Sequence, residues 1–291
     1  MSTELIKQLR EATLASYIDC AKVLKAHHGD YEQALLELRA IGFKKAEKKS
    51  DRATEEGLVV IKQADKSVCA VMMKCETDFA AFTDGYKSLV HGIAELALAN
   101  PTLANVGSML AANLNGETVQ EAIKGLSGKL GENIVLEDVV CYTSQANSLM
   151  EGYAHAGAIE GYGSMEGRLG VLLELNIGTM PHEAAQELAH HLALHIASVS
   201  PVYISQADVP QAVLDEQRRE FAAMQDIANK PADIQEKILE GRLNKFYVKT
   251  CLLNQEYMDE KITIEQLLRR VSKQWETSVS IIRFTRLDIE V

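Results

Sequence analysis

Aromatic side chains are scarce in this 291-residue chain, at 5%, and positive charge is outweighed: 30 Lys and Arg stand against 41 Asp and Glu, a formal net charge of −11. A nucleic-acid binder needs a cationic footprint for phosphates and stacking platforms for bases. This chain offers little of either, so no nucleic-acid partner is expected, and a protein or a small ligand remains as the target. It has no apolar run of about 18 residues, which argues against a transmembrane helix and a membrane partner. The opening MSTELIKQLREAT turns polar too soon for a signal peptide. The cysteines (Cys20, Cys69, Cys75, Cys141 and Cys251) are odd in number, widely spaced and free of any CxxC pair. That pattern fits a reducing, cytoplasmic compartment better than a disulfide framework.

Chemistry is also missing. There is no GxxxxGK[ST], hence no phosphate-cradling loop of that kind. A GxG at Gly161 and Gly163 lies in a run with Gly157, Gly167 and Gly170, between two strands rather than between a strand and a helix. A long hairpin loop is the better reading than a dinucleotide site. His191 and His195 are spaced for one helix face, but a zincin also needs a Glu where Leu192 stands. They read as polar positions on an amphipathic helix, with a metal hydrolase as the rival reading. No Ser-His-Asp or Cys-His arrangement follows from spacing, so no catalytic, cofactor or metal residue is expected.

What is present is an ordinary globular balance, 47% apolar and 24% charged, and a length that suggests two domains at about 150 residues each. Three short helices occupy the first fifty residues. Leu5, Ile6 and Leu9 mark the first. Ser16 caps a second that carries Tyr17, Ile18, Ala21 and Leu24. Asp30 and Gln33 start a third with Ala34, Leu35, Leu38 and Ile41 inward, which Gly42 should end. Arg39 to Arg52, with six basic and two acidic residues, reads as a solvated, helical linker.

A duplication follows. VMMKCE at 71–76 matches VLLELN at 171–176, and the helices after both end near a proline, Pro101 and Pro201, at a shared offset of 100. KLGENIVLEDVV at 129–140 then matches KQWETSVSIIRF at 273–284, an offset of 144. The second copy must therefore hold about 44 extra residues between Pro201 and Ser272. Each copy reads as a strand hairpin, helices and a last strand, giving an α+β fold with helices on one face of a small antiparallel sheet. The hairpins are Gly57–Gln63 with Val68–Lys74, and about Leu149–His155 with Leu169–Leu175. The insertion reads as an antiparallel helical hairpin. Leu214, Phe221, Met224 and Ile227 line one arm, and Ile234, Ile238, Leu239 and Phe246 the other, about an Asn229-Lys230-Pro231 turn. At 1.5 Å per residue such arms reach roughly 25 Å.

One local element stands out: Thr77-Asp78-Phe79, between an apolar strand and a helix. Thr77 or Asp78 can cap the helix. Local physics favours Phe79 folding back as a hydrophobic staple; the alternative is an exposed interface anchor.

At this point the residues resemble the elongation factor Ts family, the guanine-nucleotide exchange factors of elongation factor Tu. The blocks are LIKQLREAT, IDCAKVLKAHHGDYEQALLELRAIGFKKA, MMKCETDFAAF, KLGENI, Tyr153 with His155, GRLGVLLELN and EKILEGRLNKFYVKTCLL, in family order over nearly the whole chain. The resemblance implies a ubiquitin-associated-like head and linker at 1–52 and a core subdomain at 53–143. A second core subdomain would comprise 144–204 and 263–291, with an inserted coiled-coil hairpin at 205–262. It implies a head that docks through Tyr17 and Ile18, and a corner of Thr77, Asp78 and Phe79 that enters near the partner's magnesium and phosphate site. His155 would touch a region that relays to the partner's phosphate loop. Elongation factor Tu, GDP-bound and nucleotide-free, is the implied partner, with no reaction of the chain's own. A protein-interaction scaffold that exchanges nothing is the alternative. Two departures are visible: TLASYIDC, with Tyr17-Ile18 where the family has two methionines, and a longer stretch between His155 and Arg168.

Overall fold

The computed structural model describes residues 3–13, 15–155, 165–224, 230–258 and 260–290. The glycines at 157, 161 and 163, Ile227 and the start of the expected turn at Asn229 lie outside them.

Three helices open the chain: α1 (Thr3–Thr13), α2 (Tyr17–Ala26) and α3 (Tyr31–Glu47). Ser16 caps α2 by accepting the Asp19 N–H at 3.0 Å, and Asp30 caps α3 by accepting the Gln33 N–H at 3.1 Å. Each satisfies a donor that a helix's first turn leaves open. Ile6, Leu9, Cys20, Val23, Leu24, Ala34 and Leu38 form a core of their own. Gly42 does not end α3. The helix continues to Glu47, and Gly42 meets Gly128 on α7 (Val119–Leu130). A Cβ on Gly128 would fall 2.9 Å from the Gly42 backbone, so the missing side chain of Gly128 lets the helices touch. The first half of the expected linker is thus packed helix.

Strands β1 (Glu56–Ala64) and β2 (Ser67–Cys75) form an antiparallel hairpin. After it come α4 (Asp78–Ala81), α5 (Asp84–Ala99), α6 (Val106–Ala111) and a small hairpin of β3 (Asn113–Leu114) and β4 (Glu117–Thr118). Helix α7 and β5 (Ile134–Thr143) follow. The sheet order is β5-β2-β1-β7, with β7 at Glu166–Gly167. Alternate residues Leu58 and Val60, and Cys69, Val71 and Met73, meet a helical stripe of Tyr86, Val90, Ile93, Ala94 and Ala97. That is the expected layer of helices on an antiparallel sheet.

A second sheet holds β6 (Ser148–His155), β8 (Leu169–Asn176) and β9 (Ser280–Asp288), in the order β6-β8-β9. In the first sheet β2 lies between β1 and β5, and in the second β8 lies between β6 and β9. Helix α8 (His182–Val199) follows β8, and α11 (Ile264–Gln274) precedes β9. Between them lie α9 (Gln211–Ala223) and α10 (Ala232–Thr250), which pack on each other. Arg242 of α10 lies over the Phe221 ring at 5.8 Å and reaches the Met224 sulfur at 2.6 Å. The chain forms two compact units: Met1–Thr143 with Gly152–Gly170 and Leu287–Val291, and Ser144–Glu151 with Val171–Arg286.

The cysteines depart from expectation. Cys69 and Cys141 lie opposite each other in the β2–β5 register and are joined as a disulfide; Cys20, Cys75 and Cys251 are free and buried. Antiparallel pairing brings together two residues 72 apart, which linear spacing does not reveal.

Candidate partner-binding site

The Thr77-Asp78-Phe79 corner is built by the first sheet. Strand β2 ends at Cys75, and Thr77 is the N-cap of α4, its hydroxyl accepting the Ala80 N–H at 3.3 Å. Helix α4 is a single turn. Its Ala80 and Ala81 are buried at 3% and 1% exposure, so the helical advance of about 100° per residue turns the two preceding side chains outward. Phe79 is accordingly 83% exposed. It is not a staple: small alanines, not the aromatic, seat this turn on the core. The exposed Asp78 accepts the Phe79 N–H at 2.8 Å.

Residues not singled out from sequence hold the corner from behind. Glu132 accepts the Thr77 N–H at 3.1 Å and the Thr77 hydroxyl at 2.6 Å. Glu76 accepts the Asn133 N–H at 2.6 Å and pairs with Arg52 at 3.3 Å. The buried Asn133 amide donates to the Ser50 and Arg52 carbonyls at 3.1 and 2.8 Å. The Asn133 N–H, then Arg52, hold the Glu76 carboxyl below its ordinary pKa. Burial pushes the Cys75 thiol up to about 12, and its sulfur donates to the Thr77 carbonyl at 3.2 Å. The signal for this clamp was the KLGENI block itself, which contains both Glu132 and Asn133.

Tyr17 and Ile18 occupy the first turn of α2, 49% and 76% exposed, while Cys20, Val23 and Leu24 form the helix's buried stripe. His155 ends β6 exposed to solvent, and its Nδ1 is 2.8 Å from the Tyr153 hydroxyl. Burial raises the Tyr153 phenol pKa. These places are three separate points of one compact unit.

The histidine pair does not form a site. His191 is exposed, whereas His195 is fully buried, its Nε2 3.1 Å from the Gln255 amide oxygen. His195 is therefore a core residue rather than a polar position on the helix surface. Its Nδ1 has no hydrogen-bond partner among the described residues, and burial lowers its pKa. Among the described residues no His, Cys, Asp and Glu side chains group to hold a metal, and no helix is long and apolar enough to cross a membrane.

The family profile "Elongation factor TS" matches residues 76–290. An elongation factor Ts of Nostoc sp. is 36% identical over 98% of this chain and 91% of its own length. Those of Caulobacter vibrioides and Legionella pneumophila (strain Paris) are 34% and 33% identical, each over 99% of this chain and 91% and 92% of their own lengths. With a profile spanning most of the sequence and relatives aligned nearly end to end, the chain belongs to the elongation factor Ts family.

Proposed function

We propose that this chain binds elongation factor Tu, GDP-bound and nucleotide-free, and accelerates GDP release and GDP/GTP exchange. Membership of the family carries the role in translation elongation. The observation that carries the exchange reading is Phe79, 83% exposed on a single helical turn whose capping residue Thr77 is bound by Glu132. An aromatic presented on fixed backbone loses little freedom on docking, which is what an interface anchor requires.

In this reading Phe79 inserts between helices of the partner near its magnesium and phosphate site, with Asp78 beside it and Thr77 setting the turn. Tyr17 and Ile18 dock on the nucleotide-binding domain. His155, braced by Tyr153, touches the region that relays to the phosphate loop. The ubiquitin-associated-like head at 1–52 and core subdomain 53–143 carry these contacts. Core subdomain 144–204 with 263–291 and the coiled-coil hairpin at 205–262 reach other parts of the partner.

The physics is linkage. GDP and Mg²⁺ hold the partner's phosphate loop in one arrangement. A factor that prefers another must weaken nucleotide binding by the same coupling free energy. A second nucleotide displaces the factor, so exchange quickens and the final equilibrium stays put. No acid, base or nucleophile is needed, so the chain is an exchange factor and not an enzyme. It acts in the cytoplasm, on a protein, without nucleic acid or membrane.

The test is release of fluorescent GDP from elongation factor Tu of the same cell, with wild type and Phe79→Ala. Acceleration by the wild type that the variant loses supports the reading. No acceleration by the wild type overturns it, and tight binding with an unchanged nucleotide off-rate returns the scaffold alternative.

A further inference from the structure

Cys69 of β2 and Cys141 of β5 are register partners, with Cα atoms 4.1 Å apart. Separations this short belong to non-hydrogen-bonded antiparallel pairs, whose side chains stand closest. Cys69 is fully buried, and Cys141 is the less enclosed of the two, packed against the same core with its sulfur 3.7 Å from the Ala97 carbonyl oxygen. In such a pair the less enclosed thiol reacts first with a small oxidant, and the thiol beside it is placed to resolve the product. Cys20, Cys75 and Cys251 are buried without a sulfur partner, and burial raises the pKa of each, which keeps them protonated and poor nucleophiles.

We propose that Cys69 and Cys141 form a reversible disulfide, made by hydrogen peroxide, that staples the first sheet. The Cys141 thiolate attacks one peroxide oxygen, the O–O bond breaks, and the leaving hydroxide takes up a proton as water. Cys141 is left as the sulfenic acid. The Cys69 sulfur then attacks the Cys141 sulfur, the S–O bond breaks, and the Cys69 proton leaves with the hydroxyl as a second water. Two thiols are oxidised and one peroxide is reduced. A dithiol reductant reverses the bond.

The closed loop has a sequence separation of 72 and carries the whole Phe79 corner with Glu132 and Asn133. Cross-linking so long a loop restricts the unfolded chain strongly. The oxidised form is therefore the harder to unfold.

The experiment uses the full chain, reduced, freed of reductant and treated with peroxide while folded. It is then denatured for thiol counting and peptide mapping. The expected result is three free thiols instead of five, a single Cys69–Cys141 peptide, and a Tm raised by about 10 °C and restored by dithiothreitol. Cys141→Ser should show none of these changes, and Cys141→Ala gives the same reading if the serine variant does not fold. Five thiols remaining where a free small thiol is consumed, a linkage between other cysteines, or a linked protein of unchanged Tm overturns the proposal.

Discussion

Glu132 holds Thr77 twice, at the backbone N–H (3.1 Å) and at the hydroxyl (2.6 Å), across a separation of 55 residues. One carboxylate thus sets the capping residue of the turn that presents Phe79. Glu132→Ala leaves both Thr77 donors without their acceptor and should cost about 1–3 kcal/mol of stability. Urea unfolding measures it, and hydrogen exchange at the Thr77 amide should quicken in parallel. An amide that exchanges as slowly as in the wild type would remove Glu132 from this role.

Phe79→Ala should separate binding from folding. At 83% exposure the ring adds little to stability, so unfolding should move by no more than about 0.5 kcal/mol. Loss of an anchor at an interface centre costs about 2 kcal/mol of binding, roughly thirtyfold in Kd for elongation factor Tu. Calorimetric titration reads it, and an unaltered Kd would eliminate the anchor.

Glu76 should shape the acid limb of the stability curve. Its folded pKa is lowered, first by the Asn133 N–H and then by Arg52. Its contribution is therefore complete above the unfolded value near 4.5 and is lost as pH falls through the lowered folded value. Glu76→Gln should be less stable than wild type at pH 7 and decline less steeply below about pH 4.5. Parallel acid limbs for the two proteins would contradict this.

His195 should act in a higher pH window. Burial lowers its folded pKa below 6.5, so below that pH the unfolded chain binds the proton more readily. Stability from the neutral ring is complete above about pH 6.5 and is lost as pH falls through the folded value. His195→Gln removes this dependence. Denaturant midpoints between pH 7 and 5 should fall for the wild type and flatten in the variant, and identical slopes would refute the assignment.

Gly128 should be intolerant where Gly125 is not. An alanine Cβ at Gly128 meets the Gly42 backbone at 2.9 Å, whereas at Gly125 its nearest neighbour is the Phe43 ring at 3.8 Å. Gly128→Ala should lose about 1–3 kcal/mol through a forced helix shift. Gly125→Ala should be neutral or gain up to about 1 kcal/mol from helix propensity. Equal Tm values for the two variants would show that the helices do not bear on each other there.

The layered fold was legible because a pattern of strand hairpin, helices and last strand recurs in linear order. The jump between offsets located α9 and α10, and Ser16 and Asp30 announced their caps. What stayed hidden depends on residues far away. Phe79 points outward because Ala80 and Ala81 take the core side, a choice that apolar pattern alone cannot make between an aromatic and two alanines. His195 is buried beneath Gln255, 60 residues later. Glu132 lay inside a recognisable block, but its partner Thr77 is set by the β2–β5 pairing, as is the match of Cys69 with Cys141. Gly42 looked like a helix stop because the bare Gly128 that lets α3 continue past it comes only with α7.

The contact between Gly42 and Gly128 locks the angular phase of α3 to the body of its unit. One residue inserted into α3 ahead of Gly42 would turn everything before it by about 100° and move it about 1.5 Å along the helix axis. Each cap and core could remain intact while Tyr17 and Ile18 faced a different direction from Phe79. Continuous helix makes the head a key cut to one orientation, and a tether of equal length would not.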